Sequence, residues 1–207
     1  MLKLYIKHLT EEDPAALLPL LSKTRRAKAE RLRSSSQKLA CAYGELLLSH
    51  AFERETGRAM SFDSLSFNPY GKPYSCEYPR LNFSISHSGE YVMLGLASAP
   101  LGVDVQRRKS ASVAAAKRFF TSEEYAFVVN GEEAGAGARF ADLWAVKESY
   151  IKALGTGLAT PLSSFNTANF PLKIGEYSLS LLNGLDEAYS WAVCVQGSLE
   201  KAEIIFV

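Results

Sequence analysis

Leu101-Gly102-Val103-Asp104-Val105-Gln106 (LGVDVQ, residues 101–106) reads as a β-strand. Apolar and other residues alternate along it, the period-two pattern of a half-buried strand. Successive side chains on a strand point to opposite faces, so Val103 and Val105 are expected in the core while Asp104 and Gln106 share the other face. Two oxygen-bearing side chains on one face can reach one hard cation. An ordinary half-exposed strand has the same pattern.

Upstream, Leu81, Phe83 and Ile85 alternate with Asn82, Ser84 and Ser86, a second strand, followed by His87-Ser88-Gly89. Hydroxyls and an imidazole at a strand end can offer donors to a phosphate; a polar strand edge with a turn reads the same way. Residues 91–97 form a further strand, expected to make a hairpin with 101–106 around Ser98-Ala99-Pro100. Earlier still, residues 64–67 look extended and 68–73 form a loop. Residues 37–56 carry Leu39, Tyr43, Leu46, Leu47 and Phe52 at helical spacing, with Gly57 as the stop. A basic helix from Thr24, a short helix over 14–21 and a strand with Leu2, Leu4 and Ile6 precede it.

Downstream, helices are expected over 112–120, 121–129 and 139–154, with a Gly- and Glu-rich loop at 130–137. Strands are expected at 177–182, 190–195 and 202–207. Helices and strands are grouped rather than strictly alternating, which favours an α+β fold over a doubly wound sheet.

The bulk numbers exclude several classes. In 207 residues, 47% are apolar, enough for a good core, and the net charge is +1, so no global field draws the chain to nucleic acid or membrane. The cysteines (Cys41, Cys76, Cys194) are isolated, with no zinc-binding or disulfide spacing, and suit a reducing compartment. The first residues do not read as a signal peptide, and no apolar run nears the roughly 20 residues that span a bilayer. The expectation is a soluble, cytoplasmic protein.

The last helix carries Trp144-Ala145-Val146-Lys147-Glu148-Ser149-Tyr150-Ile151-Lys152. Glu148 and Lys152 lie four apart on one helical face, with Trp144 one turn earlier. Alone, that is a surface ion pair. Ser86 beside His87 suggests a serine hydrolase, but neighbours on a strand face opposite ways and no GxSxG elbow is present.

Taken together, GKP (71–73), FSISHS (83–88), GVDVQ (102–106), AKRFFTSEEY (116–125) and LWAVKESYIKALGTGL (143–158) occur in this order. In motif and spacing the chain resembles the 4'-phosphopantetheinyl transferase superfamily, in its larger surfactin-synthetase-activating (Sfp) type. The resemblance implies a pseudo-dimer of two α+β halves, here 1–103 and 104–207, with coenzyme A in the cleft between them. It implies Mg²⁺ held by Asp104 and Glu148, and at the third position Gln106 where the family commonly has a carboxylate. Lys152 matches the lysine that contacts the phosphates, and Glu148 doubles as the base toward the attacking serine. Lys72, Pro73, Ser86 and His87 match coenzyme A contacts. Arg25, Lys28 and Lys38 match cations that grip its phosphates, against the reading of a solvated basic helix face.

Glu124 matches a glutamate of functional interest, yet Thr121-Ser122-Glu123-Glu124 is also a capping box, which explains it without catalysis. The implied partner is an apo acyl or peptidyl carrier protein, and the implied assembly is a monomer. The alternative is a non-catalytic carrier- or nucleotide-binding relative, against which Asp104, Glu148 and Lys152 argue.

Overall fold

The computed structural model describes residues 1–109, 112–130, 132, 135–168, 172–199 and 201–207. Two four-stranded sheets form its centre. The first runs β10 (Glu203–Phe206), β1 (Leu2–His8), β5 (Tyr91–Ala97), β4 (Asn82–Ser88). The second runs β6 (Leu101–Arg107), β9 (Tyr189–Gln196), β8 (Tyr177–Leu181), β7 (Leu172–Ile174). Pairing is antiparallel except for β10, which lies parallel to β1. Helices and sheets are segregated, as the α+β expectation requires.

The layers follow from side-chain alternation. On the first sheet, Tyr5, Val92, Leu94 and Leu96 face the long helix α3 (Ser35–Thr56) and meet Leu39, Leu47, Leu48 and Phe52. Leu4, Ile6 and Met93, on the opposite face, pack against Val103, Val105, Val193 and Val195 of the second sheet. The far face of that sheet, with Leu179, Ala192 and Cys194, receives Ala145, Val146 and Ala153 of α6 (Ala136–Leu154). The result is a helix–sheet–sheet–helix stack, with Val103 and Val105 in its middle as the alternation predicts.

The ends of both long helices obey local rules. The Ser34 hydroxyl accepts the Gln37 amide at the start of α3, and Gly57 ends it at φ 76°. α6 stops at Gly155, φ 74°. It begins three residues before the expected Arg139, because Ala136 and Gly137 already belong to it; residues 131, 133 and 134 of the expected loop lie outside the described residues.

The hairpin expected around Ser98-Ala99-Pro100 is not formed. β5 pairs with β1 and β4, whereas β6 pairs with β9, from Leu101 opposite Val195 to Arg107 opposite Tyr189. The 98–100 segment instead carries the chain from one sheet to the other. The division expected after Val103 falls inside β6, and β10 returns from the second half of the sequence to the first sheet.

Candidate active site

β4 ends the first sheet and β6 ends the second, and these two free edges meet. They do not pair backbone to backbone. The hydroxyls of Ser84, Ser86 and Ser88 accept the amides of Val103, Val105 and Arg107 at 3.1, 3.2 and 3.0 Å. On the same edge the Val103 carbonyl accepts from Lys152 (3.2 Å) and the Leu101 carbonyl from Lys72 (3.1 Å). Unpaired strand edges need partners, and here side chains supply them. The period-two serines of FSISHS therefore serve as the seam between the sheets.

α6 crosses β6 at Gly102, where the backbones nearly touch. A Cβ there would lie 1.9 Å from the Ser149 carbonyl oxygen and 2.5 Å from the Ala153 nitrogen. This close approach brings Glu148 and Lys152 to Asp104. The Asp104 side chain is buried, 2% exposed. Its Oδ1 accepts from Lys152 Nζ at 2.5 Å and Ser86 Oγ at 2.6 Å, and its Oδ2 from Gln106 Nε2 at 3.0 Å.

Lys152 thus pairs with Asp104, not with Glu148 as helical spacing suggests. The helix is offset so that its lysine reaches across to the strand. The half-buried Glu148 carboxyl receives no hydrogen bond among the described residues. Burial holds its pKa above the usual range; Asp104 adds to that rise and Lys152 opposes it. Asp104 acts electrostatically on Glu148, which has no hydrogen-bond partner among the described residues, and two such carboxylates suit a divalent cation; Mg²⁺ needs few protein ligands because it keeps waters. No cluster of three or more His, Cys, Asp or Glu side chains suited to a metal occurs among the described residues.

A cavity of about 560 Å³ opens beside this cluster, a size suited to a small-molecule ligand. Arg25, Lys28, Lys72, His87 and Lys152 line it together with Phe62, Phe67 and Tyr70, and no carboxylate among the described residues does. Arg25, on α2 (Lys23–Arg31), lies over the Phe62 ring at 4.3 Å and bonds the Cys41 carbonyl at 2.9 Å. Burial lowers its pKa. The exposed His87 ring sits where the surrounding protein displaces water, and Lys152, Arg25 and Lys28 add positive potential, so its pKa falls below the ordinary imidazole value.

Other expected contacts lie differently. Lys72 and Pro73 line the cavity, but the Lys72 ammonium donates to the carbonyls of Lys152 (2.6 Å), Leu101 (3.1 Å) and Ala153 (3.3 Å). Burial depresses its pKa to about 8. With Asn68, which donates to the Gly155 carbonyl at 2.7 Å, it clamps the 68–73 loop to the end of α6. Ser86 is buried against Asp104 rather than facing the cavity. Lys38 lies in the first turn of α3 and does not line the cavity.

Glu124 stands apart from this cluster. The capping box at the start of α5 (Ser122–Val129) is present, with Glu124 Oε2 accepting the Thr121 amide at 2.8 Å. Its Oε1 accepts from the Thr167 amide, the Thr167 hydroxyl and Lys147 Nζ. Lys147 and Glu124 are both 0% exposed, and Lys147 also donates to the carbonyls of Leu162 and Phe165. Lys147 is a key residue that sequence reasoning passed over, because nothing local distinguishes a buried lysine from a solvated one. Glu124→Ala leaves the Lys147 charge unpaired, a loss of about 3–5 kcal/mol for a buried pair. Denaturant unfolding is expected to show that loss. Unchanged stability with lost transfer would instead place Glu124 in the chemistry.

These features, a cation-lined cavity whose Lys152 reaches from its wall to the buried Asp104 at the seam of the two sheets, fit a phosphoryl-transfer enzyme. The profile of the 4'-phosphopantetheinyl transferase superfamily matches residues 100–205, and the chain belongs to that superfamily. It is 32% identical over 195 residues to a 4'-phosphopantetheinyl transferase of Bacillus subtilis, covering 89% of this chain and 85% of that protein. It is 30% identical over 196 residues to the 4'-phosphopantetheinyl transferase Sfp of Bacillus subtilis strain 168, covering 90% and 87%. A Bacillus pumilus 4'-phosphopantetheinyl transferase matches at 32% over 201 residues, 91% and 85% of the two chains. The chain is an enzyme of this transferase class. No helix among the described residues is long and apolar enough to cross a membrane.

Proposed function

We propose that the enzyme transfers the 4'-phosphopantetheine group of coenzyme A to a serine of an apo acyl or peptidyl carrier protein, releasing 3',5'-ADP. The observation that carries this reading is the cavity, in which four cationic side chains and His87 line the wall, aromatic rings flank them and no carboxylate among the described residues intrudes. Coenzyme A combines clustered phosphates with an adenine ring and suits that lining. Arg25 and Lys28 bind its phosphates, and Lys152 and His87 hold the pyrophosphate. Asp104 and Glu148 would hold Mg²⁺, with the Gln106 amide as an uncharged third group beside it. When bound, the ion neutralises charge on the phosphate oxygens.

The carrier serine oxygen forms a bond to the β-phosphorus while the bond from that phosphorus to 3',5'-ADP breaks. Glu148 takes the serine proton. Lys152, within reach of the same phosphates, stabilises the leaving oxygen. The enzyme works in the cytoplasm as a monomer, both halves of the cleft coming from one chain.

The test is the intact mass of a panel of apo carrier proteins after incubation with coenzyme A and Mg²⁺. At least one carrier is expected to gain the arm, and chelation by EDTA to prevent it. If no carrier gains mass, the reading fails. In the same assay Lys28→Ala raises the KM for coenzyme A roughly tenfold or more, since a charge-assisted phosphate contact is worth about 1.5–3 kcal/mol, and lowers kcat less.

A further inference from the structure

We propose that Ser86 is a positioning residue: it fixes the Asp104 carboxylate and does not bind the donor's phosphates. This rests on the function proposed above and assigns a role within that same site. The geometry is specific. A serine hydroxyl has one hydrogen and two lone pairs. Ser86 Oγ accepts the Val105 amide at 3.2 Å, and its hydrogen goes to Asp104 Oδ1 at 2.6 Å. The residue is 5% exposed and stands outside the cavity lining, whereas its neighbour His87 lies within it.

Three serines of β4 make the same kind of bond to β6, but only Ser86 also donates to a carboxylate among the described residues. With Ser86 and Lys152 on Oδ1 and Gln106 on Oδ2, the carboxylate is held on both oxygens and its rotation is removed. Ser86 reaches it from the other sheet. The seam between the sheets and the orientation of Asp104 are therefore one construction, and a shift of β4 against β6 would turn the carboxylate.

Ser88 supplies an internal control. Ser88→Ala removes one seam bond, to the Arg107 amide, and leaves Asp104 untouched. Ser86→Ala removes a seam bond and the contact to Asp104. The expected result is that Ser86→Ala lowers kcat about tenfold, the low end of what a hydrogen bond to a charge is worth, with KM for coenzyme A unchanged. Ser88→Ala keeps wild-type kcat at a similar unfolding midpoint, and Ser86→Thr, which keeps the hydroxyl, restores most of kcat.

A double-mutant cycle of Ser86→Ala with Asp104→Asn, read by denaturant unfolding, is expected to be non-additive. This measurement needs no substrate or metal. An additive cycle overturns the proposal. So does a Ser86→Ala enzyme whose KM rises while kcat holds, because that is the behaviour of a phosphate contact. If the cycle is non-additive but the wild-type protein modifies no carrier, the geometric coupling survives and the functional reading it rests on falls.

Discussion

Glu148→Gln is expected to abolish nearly all carrier modification and, at the same time, to raise the melting temperature. The carboxyl is half-buried, receives no hydrogen bond among the described residues and sits near Asp104, so its folded pKa lies above the ordinary carboxylate value. A raised carboxyl pKa means that the fold prefers the protonated form. The wild-type protein therefore loses stability as pH rises from the unfolded value through the folded one, and above that window it carries the full penalty. The glutamine carries no charge at any pH. Its stabilising effect is expected to be complete above the folded value and to vanish in acid below the unfolded value. Each 1 kcal/mol relieved raises the melting temperature of a chain this size by roughly 2–4 °C.

The rate is expected to move the other way, because the variant lacks the carboxylate proposed as cation ligand and base. Loss of a positioned general base alone costs about 10²–10⁴-fold. Thermal melts across pH and carrier mass assays check both halves. A melting temperature that stays level or falls would show that the carboxylate is already compensated. Wild-type transfer would remove Glu148 from the chemistry.

Gly102→Ala is expected to be the most damaging substitution of a single methyl group in the molecule. The added Cβ would lie 1.9 Å from the Ser149 carbonyl oxygen, 2.5 Å from the Ala153 nitrogen and 2.8 Å from Lys152 Cβ. Two of these are backbone atoms of a packed helix and cannot swing aside. Overpacking by side chains typically costs about 1–3 kcal/mol, and this case is expected at or beyond the upper end because α6 must move as a body. Such a shift also withdraws Glu148 and Lys152 from Asp104, so the protein that still folds is expected to have lost transfer. Denaturant unfolding paired with transfer per folded molecule tests this. Near-wild-type values for both would mean that the helix can step back without consequence.

Much of this enzyme is written locally. Period-two alternation marked β1, β4 and β6, and helical spacing with Gly57 as the stop marked α3. The capping box at Thr121–Glu124 was legible because a cap is a contact between residues three apart. Ordered motifs with set spacing were enough to bring Asp104, Glu148 and Lys152 together as a class of site, and the superfamily match agrees with that class.

Only the tertiary structure decided how those pieces meet. β6 follows β5 closely in the chain yet pairs with β9, nearly ninety residues on, because burying Val103 and Val105 between the sheets outweighs the convenience of a short hairpin. Lys152 turned from its helical neighbour to Asp104, and Lys72 to the carbonyls of α6. The FSISHS serines, read in the sequence as hydrogen-bond donors to a phosphate, satisfy the open edge of β6. Lys147 and Glu124 neutralise each other out of water. Periodicity and caps are set by neighbours within a turn or two, and the sequence displays them. Which strand edge stays open, and which distant side chain must satisfy it, depends on how faces far apart in the chain pack, and that exists only once the chain is folded.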